Sequence, residues 1–283
     1  MLSKIIKDIS RNNKHSFKNK FYKKINLKLI NQIKKSDFKK KNKKKINFSI
    51  FGKIVFPFFS MGSINSLHLF GLDEIILFCY YFSSKRKYKK VADIGGNLGL
   101  HSIIMSRFYD KIDCYEPDLN HIKKIKENLK LNKVKNVRVI KKAVTNKNGN
   151  VKFIRVLGNT TGSHISGAKN NPYGKLEKFN VKCVKFSKII KDYDFIKIDA
   201  EGEEAKIIKN TRYNDWNNVD AVLEVGSKKN AQVIFRYLKY LDVAMYSQKK
   251  NWKKVITIKD MPFSYKEGSL FISKRNKFNL EKI

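Results

Sequence analysis

The sequence predicts an α/β fold: a doubly wound, mostly parallel sheet with helices on both faces, Rossmann-like in outline. Three observations predict it. Short apolar runs alternate with amphipathic helical runs from residue 90 to residue 274, the pattern of strand–helix units that cover a parallel sheet on both sides. The first such unit turns through a glycine-bearing loop, "DIGGNLGLHS" (93–102). A chain of 283 residues that is 42% hydrophobic can also bury the core of one sizeable domain with appendages.

The elements follow in order. "INFSIFGKIVFPFF" (46–59) is strand material broken by Pro57. "GLDEIILFCYYFSS" (71–84) is a helix entered at Gly71, with acids in its first turn to suit the helix dipole. "KVADIG" (90–95) is a strand and "GLHSIIMSRF" (99–108) a helix. "KIDCYEP" (111–117) is a strand, followed by the helix "LNHIKKIKENLKLN" (119–132) with Ile122, Ile125 and Leu129 on one face. "NVRVIKKAV" (136–144), "NVKFIRV" (150–156) and "NVKCVKF" (180–186) are strands, the last two flanking a polar segment. "DFIKIDAE" (194–201) is a strand and "EEAKIIKN" (203–210) a short helix. "VDAVLEV" (219–225) is a strand before the helix "KKNAQVIFRYLKYL" (228–241), where Ala231, Ile234, Leu238 and Leu241 are in register. "DVAMYSQ" (242–248) and "SLFISK" (269–274) close the chain as strands, and no internal repeat is present.

Ahead of these units the composition changes. Residues 1–50 hold 17 Lys or Arg against Asp8 and Asp37, a net of +15. Residues 1–45 are therefore expected to form a mobile or loosely helical basic tail, residues 46–90 a strand and helix cap, and residues 91–283 the ligand-binding domain. The tail suits an electrostatic contact with RNA or an anionic membrane surface, or is a solvated extension.

The whole chain carries +38, which fits binding to a polyanion. Only 8 of its 62 basic residues are Arg, however, and Asn, Ile, Phe and Tyr are also abundant; these are residues of A/T-rich codons, a bias that could supply much of the lysine without selection for binding. Arginine is the better fork for phosphate and bases. Cys79, Cys114 and Cys183 share no short spacing, and the five histidines form no metal-binding pair, so a reduced, metal-free protein is expected. With no signal-peptide core at the N-terminus and no apolar run of spanning length, the expected location is the cytoplasm, with a peripheral place at the membrane surface open to the tail.

The loop at 93–102 identifies the ligand class. A dinucleotide fingerprint needs Gly-x-Gly-x-x-Gly, but from Gly95 the chain has Asn97 and Leu100 at the later glycine positions. It has instead Asp93 before the turn and Glu116 at the end of the second strand, 21 residues after Gly95. A carboxylate there can accept both ribose hydroxyls of an adenosine. Asp93 would repel a diphosphate but suits an ammonium. Adenosine, an amino group and a sulfonium together describe S-adenosylmethionine, and the cofactor-binding candidates are Asp93, Gly95, Asn97, Gly99, Glu116 and Pro117. Asp93 as a loop-bracing carboxylate and Glu116 as a surface acid are the simpler alternatives.

"DIGGNLGLHS", "YEPD", "AVTNKNGNVKF" and "DFIKIDAEGEE" occur in the order in which the FkbM family of S-adenosylmethionine-dependent methyltransferases has them, and the chain resembles that family over roughly residues 70–210. Gly96 and Ala200 depart mildly, standing where the family often has Ala and Val. The resemblance implies a class I methyltransferase fold and methyl transfer, usually to a hydroxyl of a small molecule or glycan.

Such transfer depends on aligning acceptor, methyl and sulfur, and a hydroxyl acceptor needs a group to take its proton. Lys197 and Asp199 share one side of a strand by two-residue alternation. Asp199 is thus the first catalytic candidate and Glu201 the second, each alternatively a structural acid that pairs with lysine or favours a helix N-terminus. His101 could shuttle a proton or pack under the loop. His164, within a polar insert long enough for a lid, and Glu224, at a strand end, are substrate candidates, or else a loose surface loop and a loop-bracing acid.

Base methylation is disfavoured. Asp199-Ala200-Glu201-Gly202 stands where an Asn- or Asp-Pro-Pro-aromatic turn belongs, Asn171-Pro172-Tyr173 echoes that turn in the wrong place, and no cysteine has the Pro-Cys context of a nucleophile. Ribose-hydroxyl methylation of RNA stays open, as does a basic RNA- or membrane-binding protein with a vestigial methyltransferase fold.

Overall fold

A computed structural model describes residues 2–36, 38, 45–169 and 174–282 of the protein. Asn171-Pro172-Tyr173 and most of the lysine run at 37–44 lie outside the described residues.

The chain begins with helices α1 (Leu2–Ser10) and α2 (Lys20–Lys35). A short hairpin of β1 (Ile46–Asn47) and β2 (Lys53–Ile54) follows, then α3 (Leu72–Ser83). The alternating part runs β3 (Lys90–Ile94), α4 (Leu100–Met105), β4 (Lys111–Tyr115), α5 (Leu119–Leu131) and β5 (Val137–Ile140). Next come β6 (Ala143–Thr145), β7 (Gly149–Val156), β8 (His164–Ile165) and β9 (Leu176–Lys185). The chain ends with β10 (Phe195–Ile198), α6 (Glu204–Ile208), β11 (Asp220–Glu224), α7 (Lys228–Tyr240), β12 (Ala244–Ser247), β13 (Lys253–Lys254) and β14 (Ser269–Ser273).

Eight strands form the central sheet in the order β13-β12-β14-β11-β10-β3-β4-β5. The run from β11 to β5 is parallel, and β14, β12 and β13 add antiparallel pairs at one side. Alternation along β3 sends Val91 to one core and Ala92 and Ile94 to the other. The first core packs under α1 to α5 and the second under α6 and α7. Both faces are thereby covered, which explains why the parallel strands read as mostly apolar runs.

Two departures from the expected layout have physical causes. β6 to β9 leave the central sheet and form a separate four-stranded sheet, β6-β9-β7-β8. Val151 and Phe153 of β7 pack with Val181 and Cys183 of β9 in a core of their own. Period-two alternation identifies a strand without naming its sheet.

The second departure concerns the basic N-terminal segment, expected to be mobile or loosely helical, which is helical and packed. α1 buries Ile5, Ile6 and Ile9 and α2 buries Ile25, Leu29 and Ile33, all in the first core. The spacing of these residues makes one apolar stripe per helix among the lysines, so the segment folds against the body despite its charge. No helix of the described residues is long and apolar enough to cross a membrane.

Candidate active site

The chain runs outward from β3 through β4 to β5, and later takes up β10 on the other side of β3. This reversal of strand order opens a crevice at the carboxyl ends of β3 and β10, the place where open α/β sheets bind ligands. Gly95 makes the turn possible. Its φ is +80°, and a Cβ there would stand 1.8 Å from the Asp199 carbonyl oxygen. The loop therefore lies directly against the end of β10, and only glycine fits.

From there the loop curls toward β4. The Gly95 and Gly96 amides both donate to the Tyr115 carbonyl, at 3.0 and 3.1 Å. Asn97, at φ +51°, donates its backbone N–H to Glu116 Oε2 at 2.9 Å. Glu116 Oε1 accepts from the Asp118 amide, also at 2.9 Å. Burial pushes the Glu116 carboxyl up to about 8, with the nearby charges of Asp118 and Asp93 adding to the shift against the two amides. The Asn97 side-chain oxygen is buried without a hydrogen-bond partner.

A cleft is built over this loop. Gly95, Asn97, Glu116, Pro117, Asp199 and Glu201 line it, so six of the eight residues expected to bind cofactor or act in catalysis converge. Its enclosed volume is small, about 70 Å³.

The other two sit elsewhere. Asp93 is fully buried behind the loop, where its Oδ2 accepts from Ser102 Oγ at 2.6 Å and its Oδ1 lies 3.6 Å from Lys197 Nζ. It braces the turn and does not line the cleft, which corrects its expected contact with a ligand ammonium. Gly99 is the N-cap of α4 at φ +81°, packed against Ile125, and it too stands back from the cleft.

Asp199 is the junction of the site. It lines the cleft and two further chambers. One of these is bounded by Asp73, Glu74, Lys197, Glu224 and Tyr265. The other, a groove of about 620 Å³, is bounded by Lys169, Glu201, Glu204, Glu224 and Asn230. Glu201 is ion-paired with Lys169, and burial together with the Asp199 charge pushes its carboxyl up to about 7. Glu224 is pushed up by burial and then by the charges of Asp199, Glu201 and Glu74. Burial alone would raise Glu74 as well, but His101 and Lys197 hold it below the ordinary carboxylate value.

The two histidine candidates are not in the cleft lining. His101 points into the first core's edge, with Nε2 2.8 Å from Glu74 Oε2 and Nδ1 2.9 Å from the Tyr81 hydroxyl. It positions Glu74. His164 is buried, its Nδ1 donating to the Gly162 carbonyl at 2.8 Å, while its neighbours Ser163 and Ile165 face the cleft. Strand alternation in β8 accounts for the difference. Glu224 does reach the chambers, as a strand-end acid should.

Sequence reasoning missed the ion pair that holds the roof in place. Arg155 of β7 grips Asp118 with two bonds of 2.6 Å, fastening the second sheet to the start of α5. That bond brings Phe153, Thr160, Thr161, Ser163 and Ile165 over the cleft, and the Thr160 hydroxyl meets His121 Nε2 at 3.1 Å. The polar insert was legible as a covering segment. The Arg155–Asp118 pair, 37 residues apart, had no local signal.

The profile of the methyltransferase FkbM domain matches residues 93–251. No curated protein sequence matches the chain. Solved structures similar to it include a precorrin-6y C5,15-methyltransferase from Geobacter metallireducens GS-15, with 14% identity, a TM-score of 0.39, and coverage of 70% of this chain and 86% of that one. A methyltransferase FkbM from Methylobacillus flagellatus KT has 12% identity and a TM-score of 0.38. The alignment covers 73% of this chain and 52% of that one, about half of its length. The O-methyltransferase TomG from Streptomyces achromogenes, solved in complex with S-adenosylmethionine, has 13% identity and a TM-score of 0.39 over 69% of this chain and 78% of that one. With a doubly wound sheet, a glycine loop against β10 and a family match over more than half its length, the chain belongs to the FkbM family of S-adenosylmethionine-dependent methyltransferases.

Proposed function

We propose that the protein transfers a methyl group from S-adenosylmethionine to a hydroxyl of a small molecule or glycan. The observation that carries this reading is the position of Asp199, which borders the cleft over the glycine loop on one side and both carboxylate-lined chambers on the other.

The cleft residues fit the cofactor. Glu116 keeps lone pairs beyond its two amide bonds, enough to accept the ribose hydroxyls. The buried Asn97 side-chain oxygen lacks a donor that a bound ligand would provide. When bound, S-adenosylmethionine supplies an electrophilic methyl group on a sulfonium.

The protein's own residues do the rest. Lys197 Nζ lies 3.3 Å from Asp199 Oδ2, which leaves Oδ1 to orient an acceptor hydroxyl and take its proton. Glu201 stands next to it, held by Lys169, and helps to place the acceptor. Thr160, Thr161 and Ser163 border the cleft from the second sheet. Alignment of donor and acceptor across Asp199 supplies the main acceleration.

The test is calorimetric titration with S-adenosylhomocysteine, followed by incubation of the enzyme with S-adenosylmethionine and a panel of hydroxylated acceptors read by mass spectrometry. Binding that Glu116→Ala weakens, with products carrying an O-methyl group, supports the reading. Products methylated only at nitrogen or carbon would overturn the hydroxyl assignment, and no binding by the intact chain would overturn the donor.

A further inference from the structure

We propose that the outward face of α2 is a docking surface for an anionic lipid bilayer. This inference is independent of the methyl-transfer reading. The helix is anchored from behind, where Ile25, Leu29 and Ile33 are buried and the Tyr22 hydroxyl donates to Asp73 at 2.9 Å. Its opposite side exposes Lys20, Lys23, Lys24, Lys28, Lys34 and Lys35. Leu27, 64% exposed, and Ile30, 37% exposed, stand among them. α2 contains no acid at all, and none of the six lysines is paired with a carboxylate of the described residues.

Lysine is common throughout this chain, so its number argues nothing. Its segregation does. Residues 2–36 carry 11 basic residues against the single acid Asp8, whereas the whole chain carries 62 against 24. A body-anchored helix that turns six lysines, two aliphatic side chains and the neutral Asn31 outward has the two features of an interfacial helix. The ammonium groups meet the negative surface potential of anionic lipids, and the aliphatic side chains enter the boundary between headgroups and acyl chains.

The same face is poorly made for RNA. It has no arginine fork and no exposed aromatic ring on which a base could stack. A nucleic acid would also gain nothing from Leu27 and Ile30. The bilayer is the partner that uses both the lysines and the aliphatic side chains of the face.

The test is cosedimentation of the full chain with phosphatidylcholine vesicles, with and without about one third phosphatidylglycerol, near physiological salt. A highly basic protein will adhere weakly to any anionic surface, so an equal-charge control is essential. The triple variant Lys24→Gln/Lys28→Gln/Lys35→Gln is compared with Lys152→Gln/Lys178→Gln/Lys182→Gln, whose lysines are exposed on the second sheet. The expected result is binding to the anionic vesicles only, reduced about tenfold or more by the α2 variant and less than about twofold by the control. Leu27→Gln alone, at an exposed position, is expected to reduce binding several-fold, and it keeps the test decisive if the triple variant fails to fold. Equal losses in the two triple variants would overturn the proposal in favour of diffuse charge. So would Leu27→Gln binding like the parent chain, or an RNA oligonucleotide that binds the intact chain and is released by the α2 substitutions while vesicles are not bound.

Discussion

Lys197 and Asp199 are two residues apart at the end of β10, and their side chains meet at 3.3 Å. The same ammonium lies 3.6 Å from Asp93 Oδ1 and 3.4 Å from the Gly95 carbonyl oxygen. One buried lysine thus joins the glycine loop, the brace behind it and the acid at the junction of the three cavities. Burial alone would lower its pKa, yet the carboxylates of Asp199, Asp93 and Glu74 raise it instead, so it stays charged.

Lys197→Met is therefore expected to leave Asp93 buried without a counter-charge and to destabilise the fold by about 3–5 kcal/mol. Urea unfolding measures the loss. Adding Asp93→Asn to that variant should recover part of it, and the absence of any recovery would show that the two groups are not coupled.

Asp199→Asn keeps the shape of the junction and removes the proton acceptor. Turnover with a hydroxyl acceptor should fall by about 10²–10⁴-fold while the affinity for S-adenosylhomocysteine stays near that of the parent. Single-turnover kinetics beside calorimetry separates the two quantities. A parallel loss of cofactor affinity would make Asp199 a donor-binding residue instead.

Glu116 governs a pH effect whose sign is set by burial. Its folded pKa of about 8 exceeds the ordinary value of 4.5 because the buried carboxylate is disfavoured in its charged form. The stability this group contributes is fully present below pH 4.5 and is lost as pH rises through about 8. Glu116→Gln cannot ionise, so it should lose less stability than the parent between about pH 5 and 9. Thermal melts at the two pH values decide it, and an identical loss in both proteins would refute the assignment.

Gly95→Ala would place a methyl group 1.8 Å from the Asp199 carbonyl at a φ of +80°. Strain and overlap together should cost at least about 3 kcal/mol and abolish cofactor binding. A variant that melts like the parent and still binds would mean that the loop can move away from β10.

The N-terminal helices are expected to behave as core. Ile6 is fully buried against the body, so Ile6→Ala should destabilise the whole domain by about 2–5 kcal/mol. A denaturation midpoint equal to that of the parent would restore the picture of a detachable tail.

Much of this architecture was legible in the chain itself. The strands 90–94, 111–115, 195–198 and 220–224 coincide with runs quoted from the sequence, because a parallel strand buried on both faces is mostly apolar. The glycine loop was legible because a tight turn needs glycine, and Glu116 because it ends the second strand beside that loop; both signals are local. The roles of Asp93, His101 and His164 were not. Each lies within a few residues of the cleft, but the side-chain direction of His164 follows strand parity, and those of Asp93 and His101 follow partners 9 to 104 residues away, Ser102, Glu74 and Lys197.

The sequence by itself determined the alternation of elements, the turn that needs glycine and the acids at the strand ends, since these follow from periodicity and from the conformations that single residues allow. Only the tertiary structure decided that β6 to β9 make a separate sheet, that Arg155 fastens it over the cleft through Asp118, and that the basic N-terminus folds as two helices on the first core. Those outcomes rest on contacts between distant segments. Their free energy comes from apolar surface and paired charges that exist only once the segments meet.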